Sequence, residues 1–207
     1  MHLAAKRGSN NLISDFHDNE IQTQNISEAC DENNISNIVY ASSISVYSGE
    51  HDLPWTESNL PKPQLMYGIS KMSCEYIGNI YSPKKGLKVK NLRCAHIFGA
   101  NERNNYMINL FFRQALRKET LILNTPRTAR REFLYVKDAV KAIICALKQE
   151  SIKGNYNIGS GEALTNYDVA KKINLAFNNE GNLLIKNPLE KEGICSSLMD
   201  SSKAINI

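Results

Sequence analysis

No apolar run among the 207 residues is long enough to cross a bilayer, and residues 1–10 have no apolar core of leader length. The five cysteines, Cys30, Cys74, Cys94, Cys145 and Cys195, are odd in number and far apart. That spacing argues against a disulfide framework or a zinc site and makes a reducing compartment the default. The four histidines, His2, His17, His51 and His96, show no metal-ligand spacing. Charge of one sign does not accumulate: the net charge of +4 falls short of a nucleic-acid footprint. Only Arg127, Arg130 and Arg131 form a dense basic cluster, and no aromatic residues interleave with the basic ones as in a single-strand binder. Internal repeats and low-complexity segments are absent. The expectation is a cytoplasmic protein with no metal, no nucleic acid and no membrane among its partners.

The composition, 42% hydrophobic and 22% charged, is that of an ordinary globular chain, long enough for one good core or one domain with a small annex. Residues 1–5 read as the tail of a strand. Ile21, Ile26, Ala29 and Cys30 fall at helical spacing and predict a helix over 18–32. Ile38-Val39-Tyr40 has the composition of a buried parallel strand. A proline-rich loop leads to a helix over 65–81, with Pro83 and Gly86 as its stop. Residues 87–93 alternate apolar and polar and predict the next strand, which runs into a second strand-end loop at 94–99. Beyond it come a helix over 106–118, short strands at 121–123 and 131–135, and an amphipathic helix over 136–148. A strand at 155–158, a helix capped by Thr165 and running to 177, and a strand at 183–185 follow. Strands alternate with helices up to about residue 93, which implies an α/β protein with a doubly wound parallel sheet; the shorter mixed elements after it imply a smaller annex.

One stretch, residues 38–71, carries chemistry. Its strand empties into a turn with Ser42, Ser43 and Ser45, and the helix that follows begins with Tyr67 and has Lys71 one turn later on the same face. Open α/β sheets hold their ligands at the carboxyl ends of strands. Tyrosine four residues before lysine occurs three times, at Tyr67/Lys71, Tyr81/Lys85 and Tyr167/Lys171. Pro83 is expected to break the helix that would align the second pair, and the third has no hydroxyl-bearing strand end upstream. A phenol ionises near pH 10, so it is a poor base at neutrality unless a nearby ammonium favours the phenolate. So assisted, Tyr67 suits removal of a hydroxyl proton as hydride leaves the same carbon, with Ser43 holding that oxygen.

These residues resemble the extended short-chain dehydrogenases/reductases, specifically the NAD-dependent nucleotide-sugar epimerase/dehydratase family, in fixed order along nearly the whole chain. MHLAA at the start resembles the family's fourth-strand end, and Asn19, Thr23 and Asn25 match its N-x-x-x-T-x-N helix start. ASSISVYSG resembles the serine-rich turn, YGISK at 67–71 the catalytic helix, and LRCAHIFG at 92–99 the strand end beside nicotinamide and sugar. REFLYVKDA at 131–139, NIGSGE at 157–162 and MDSSKA at 199–204 match the later landmarks. The resemblance implies a partial Rossmann-like sheet with a small mixed α/β substrate-binding annex. Residues 1–100 would be the later part of the NAD-binding domain, and 101–207 mostly substrate-binding with segments returning to the sheet. It implies Ser43, Tyr67 and Lys71 as the catalytic group, with Ala4, Ala5, Ser42, Tyr67 and Lys71 against the cofactor. His96, which stands where relatives more often carry asparagine, lines the sugar site with Ser43, and Arg131 grips the diphosphate.

NAD or NADP is the implied cofactor and a nucleotide-diphosphate sugar the implied partner; a homodimer is left open. Sugar 4,6-dehydratases of this kind carry acidic residues just after the catalytic hydroxyl, where this chain has Ile44 and Ser45. A 4-epimerase is therefore the leading reading, with a 4-keto-sugar reductase or a non-catalytic remnant that binds a nucleotide-sugar or a partner protein as alternatives. The family's opening strand, G-x-x-G-x-x-G turn and helix have no counterpart among the eleven glycines. The chain is accordingly expected to be an amino-terminally truncated member that binds NAD weakly or not at all by itself.

Overall fold

The β-branched and aromatic residues of Ile38-Val39-Tyr40 are buried in a strand covered on both faces in the computed structural model. The structure describes residues 1–6, 11–48, 52–102, 106–124, 128–189 and 196–206, without the side chains of 83–85. His51, Arg127 and Cys195 lie outside the described residues. The elements are α1 (His17–Glu32), β1 (Asn37–Ser43), α2 (Met66–Lys85), β2 (Lys88–Cys94), β3 (His96–Phe98), α3 (Met107–Leu116) and β4 (Leu121–Leu123). They continue as β5 (Arg130–Tyr135), α4 (Val136–Lys148), β6 (Gly154–Ile158), β7 (Ala163–Thr165), α5 (Asn166–Ala176), β8 (Leu183–Ile185) and α6 (Ser202–Ile205).

The first sheet has the order β1-β2-β6, all parallel, and His2 adds a parallel bridge to Tyr40 on the outer side of β1. The expected strand tail at 1–5 is thus reduced to a single bridge. Side chains alternate along a strand. Ile38 and its neighbour Val89 pack with Leu87 against Cys30 of α1 and Tyr81 of α2, whereas Val39 and Leu92 join the larger core with Ala139, Ile143 and Ala146 of α4. Helices therefore cover both faces, as the doubly wound reading required. The polar members of β2 are not turned to water as their alternation implies: Lys90 and Asn91 are fully buried and Arg93 nearly so. Each has a partner; Lys90 Nζ, for example, donates to the carbonyl of Ala146 at 2.8 Å. Asn91 donates to Asn155 Oδ1 at 2.9 Å but leaves its own Oδ1 buried without a hydrogen-bond partner among the described residues, so the burial is compensated in large part and not in full.

The annex contains a sheet of order β3-β5-β7, the first pair parallel and the second antiparallel, and the parallel pair β4-β8. Ile108, Phe111 and Ala115 of α3 pack with Val169, Ala170 and Ile173 of α5 in its core. Thr165 opens α5 through a reciprocal capping box with Asp168. One boundary differs from expectation: α2 passes through Pro83 and ends at Gly86, which takes the left-handed conformation (φ +66°). In a last turn the fixed φ of proline is already helical and one lost hydrogen bond is tolerated, so glycine is the real stop.

Candidate active site

Successive residues of β1 point to opposite faces, so Ser42 and Ser43 part company at the strand end. Ser42 turns under α2 and donates to Glu75 Oε1 at 2.5 Å. Ser43 opens a short 3-10 turn, residues 44–46; its Oγ accepts from the amide of Ser45 and donates to Ser45 Oγ, both at 3.1 Å. The hydroxyl is held at the carboxyl end of the strand by its own loop.

The helix α2 is seated on that turn. A Cβ at Gly68 would lie 2.1 Å from the carbonyl oxygen of Ser45, so only glycine permits the approach. Lys71, one turn on, is 3% exposed and its ammonium donates to the carbonyl of Ala41 at 2.7 Å. The amine lies 4.9 Å from the ring centre of Tyr40 and 5.8 Å from that of Tyr67. Burial lowers the pKa of Lys71 below that of an ordinary lysine, against a smaller opposing pull from Cys74, Cys94 and Glu75. The pair Tyr167/Lys171 has much the same separation, 5.6 Å, but is an exposed surface contact. Burial, not spacing, sets Tyr67/Lys71 apart. Tyr81 is engaged elsewhere, its hydroxyl donating to Glu28 of α1 at 2.8 Å.

The amino-terminal segment runs beside this strand end. Asn19 accepts from the amide of Lys6 at 2.6 Å and donates to the Lys6 carbonyl and to Ser70 of α2, while Thr23 meets His2 Nε2 at 3.1 Å. Two residues of the N-x-x-x-T-x-N pattern thus clamp the segment, and Ala4 and Ala5 lie exposed between the clamps. Burial pushes His2 down to about 4, with Lys71 adding to the effect.

His96 and Arg131 sit farther along. The register pairs His96 with Phe133 and Arg131 with Leu164, which places His96, Phe98, Arg131, Phe133 and Leu164 on one face of the annex sheet. His96 Nδ1 lies 3.1 Å from the carbonyl oxygen of Glu132, and the half-buried Arg131 donates to Asn166 Oδ1 at 3.3 Å. A largely apolar cavity of about 350 Å³ opens on the same face, lined by Phe98, Phe133 and Leu164 with Phe112 of α3 and Ile173 of α5.

Three structural supports escaped the sequence reasoning. Gly68 is one. A second is Glu132, fully buried beside Arg131, whose carboxylate accepts from the amides of Gly161 at 2.8 Å and Met199 at 3.0 Å and so ties together the NIGSGE and MDSSKA segments. Its pKa is raised by burial, against the hydrogen bonds that favour the charge. The third is the buried pair Glu75–Arg93, bidentate at 2.7 Å and 3.0 Å, with Arg93 also donating to the hydroxyl of Tyr47 at 2.7 Å. Burial disfavours the Arg93 charge, but Glu75 and Tyr47 more than offset this and hold the guanidinium above its usual value.

A parallel sheet helix-covered on both faces, with a lysine buried at a strand end and an annex carrying a second sheet, is a Rossmann-like α/β arrangement. The sequence model of the NAD dependent epimerase/dehydratase family matches residues 1–159, and the chain belongs to that family. The crystal structure of UDP-N-acetylglucosamine 4-epimerase from Bacillus cereus is 65% identical; all of this chain superposes on 71% of that one with a TM-score of 0.95. UDP-N-acetylglucosamine 4-epimerase from Methanobrevibacter ruminantium M1, in complex with UDP-N-acetylmuramic acid, is 26% identical, with a TM-score of 0.85 over 98% of this chain and 66% of that one. Among curated proteins, dTDP-4-dehydro-6-deoxyglucose reductase from Escherichia coli is 26% identical over 161 residues, 76% of this chain and 51% of its own length. The chain spans about half the length of the curated relatives it matches.

Proposed function

We propose that this chain carries the catalytic group of an NAD-dependent nucleotide-sugar 4-epimerase, with UDP-N-acetylglucosamine as its substrate. The observation that carries the chemistry is Lys71: a buried ammonium fixed to the strand end by Ala41, one helical turn after Tyr67. The 65% identity to the Bacillus cereus 4-epimerase supports the choice of sugar.

Tyr67 takes the proton of the sugar 4-hydroxyl, and Ser43 steadies that oxygen by a hydrogen bond. Lys71 lowers the cost of the phenolate by Coulombic attraction across a site with little water. The chemistry supplied by bound NAD is reversible hydride acceptance. After the oxidised sugar has turned, Tyr67 gives the proton back to the same oxygen, now on a carbon of opposite configuration. Arg131 and His96, on one face of the annex sheet, are assigned to the diphosphate and the sugar. The chain's own residues fit the nicotinamide end of the cofactor: Lys71 is buried at the strand end, and the exposed Ala4 and Ala5 lie beside it, with Ser42 behind. They offer no glycine-rich turn for the pyrophosphate.

The test is to incubate the chain with millimolar NAD and UDP-N-acetylglucosamine and follow the anomeric proton signals by NMR. Appearance of the galacto epimer, lost in Tyr67→Phe and Ser43→Ala, is the expected result. No epimer at any NAD concentration, or conversion that survives Tyr67→Phe, would sink the proposal. The likeness to the Escherichia coli reductase favours a second reading, a 4-keto-sugar reductase, which would instead consume reduced cofactor in proportion to product.

A further inference from the structure

Glu75 follows Lys71 by four residues on α2, the spacing at which a carboxylate and an ammonium ordinarily pair along a helix. They do not pair here. Glu75 Oε1 accepts from Ser42 Oγ and Arg93 Nε, and Oε2 from Arg93 Nη2, so the carboxylate is spent on β1 and β2. Lys71 donates instead to the carbonyl of Ala41 and forms no ion pair among the described residues. Arg93 is itself pinned by Tyr47, whose hydroxyl donates to Asn157 of β6 at 2.8 Å. The network therefore runs across all three strands of the first sheet, and its geometry keeps the nearest acid to Lys71 turned away.

We propose that Arg93 is a positioning residue that holds the Glu75 carboxylate off Lys71, so that the ammonium stays available to the Tyr67 phenol. This rests on the Tyr67–Lys71 reading above and adds to it the reason the lysine is not neutralised by its own helix. With Arg93 and Glu75 paired, the local charge on Tyr67's neighbour is that of one cation; without Arg93, Glu75 is free to close on Lys71 and cancel it. The other titratable groups around Lys71 and Tyr67 are His2 of the amino-terminal segment, Tyr40 of β1, Cys74 of α2, Cys94 of β2 and, beside Cys74, Glu20 of α1. Burial keeps His2, Tyr40, Cys74 and Cys94 uncharged near neutrality; of the two carboxylates, Glu75 acts on Lys71 itself whereas Glu20 acts on Cys74, so Glu75 is the acid whose release matters most.

The test reads Tyr67 itself and needs neither NAD nor sugar. The chain is labelled with [13Cζ]tyrosine, the Tyr67 resonance is identified by its loss in Tyr67→Phe, and its ionisation is followed by NMR against pH, with circular dichroism confirming that each variant is folded. Arg93→Met is expected to raise the Tyr67 midpoint by about one pH unit, and the double variant Arg93→Met/Glu75→Gln to bring it back to within roughly 0.3 of the parent. A purely structural role for Arg93 would leave the double variant as displaced as the single one, or more so. If Arg93→Met does not fold, Arg93→Lys decides: it keeps the positive charge but loses the bidentate grip on Glu75, and is expected to raise the midpoint. An unmoved midpoint in these variants, or no recovery in the double one, overturns the proposal. Lys71→Met separates the two layers of argument. If it fails to raise the midpoint, the Tyr67–Lys71 reading falls; if it raises it and Arg93→Met does not, only the role of Arg93 falls.

Discussion

Gly68 meets the carbonyl oxygen of Ser45 so closely that a Cβ would sit 2.1 Å away. The contact seats the first turn of α2 on the loop that follows Ser43, and backbone cannot yield as a flexible side chain would. Gly68→Ala is therefore expected to cost about 1–3 kcal/mol of stability, the usual range for overpacking, and to lift Tyr67 away from the strand end. Urea unfolding measures the first effect, and loss of epimer formation beyond what the stability change explains measures the second.

Glu132 joins three segments distant in sequence through two amide hydrogen bonds to a buried carboxylate. Hydrogen bonds to a charged group contribute about 1.5–3 kcal/mol each, so Glu132→Ala is expected to destabilise the annex strongly, and Glu132→Gln less, since it keeps one acceptor. Amide exchange at Gly161 and Met199 should accelerate in both variants before the rest of the chain does. Uniform acceleration throughout the molecule would remove Glu132 from this role.

His2 stays neutral in the fold, with its pKa pushed from 6.5 down to about 4 by burial and by Lys71. An unfolded chain binds the proton as pH falls through 6.5 and the folded chain does not, so stability is lost between there and pH 4. The loss is expected to reach about 2 kcal/mol by pH 5. Thermal midpoints at pH 7 and pH 5 should diverge in the parent and draw together in His2→Leu.

On the proposed reading, Lys71 and the strand end hold only the nicotinamide end of a dinucleotide, whereas Rossmann-like proteins seat its pyrophosphate on a glycine-rich turn and helix start. Isothermal titration of the 207-residue chain with NAD is expected to show no micromolar binding. A micromolar isotherm would mean that other residues of this chain hold the pyrophosphate.

The parts of the fold legible in the sequence were those written in local patterns. β1 was visible as a β-branched and aromatic run, α4 as an apolar stripe, and α5 as a threonine cap over a periodic helix. The candidate site was legible from context, since of three tyrosine–lysine pairs at the same spacing only Tyr67/Lys71 follows a strand ending in serines. What stayed hidden depends on pairs far apart in the chain. Arg93 and Lys90 read as polar positions of an alternating strand, because nothing near them names Glu75 or the Ala146 carbonyl as a partner. Nothing in the sequence around Glu132 announces the amides of Gly161 and Met199 that come to its carboxylate. Pro83 misled in the other direction: a residue that breaks helix interiors is harmless in a final turn.

The strand β6 lies beside β2 in register from Lys90 with Gly154 to Cys94 with Ile158, although the whole of β3, α3, β4, β5 and α4 intervenes in sequence. During synthesis, β1 and β2 emerge long before their third companion. Loop closure over so long a span is slow, so β2 should wait with one edge open, and the annex becomes a prerequisite for completing the first sheet rather than an appendage to it.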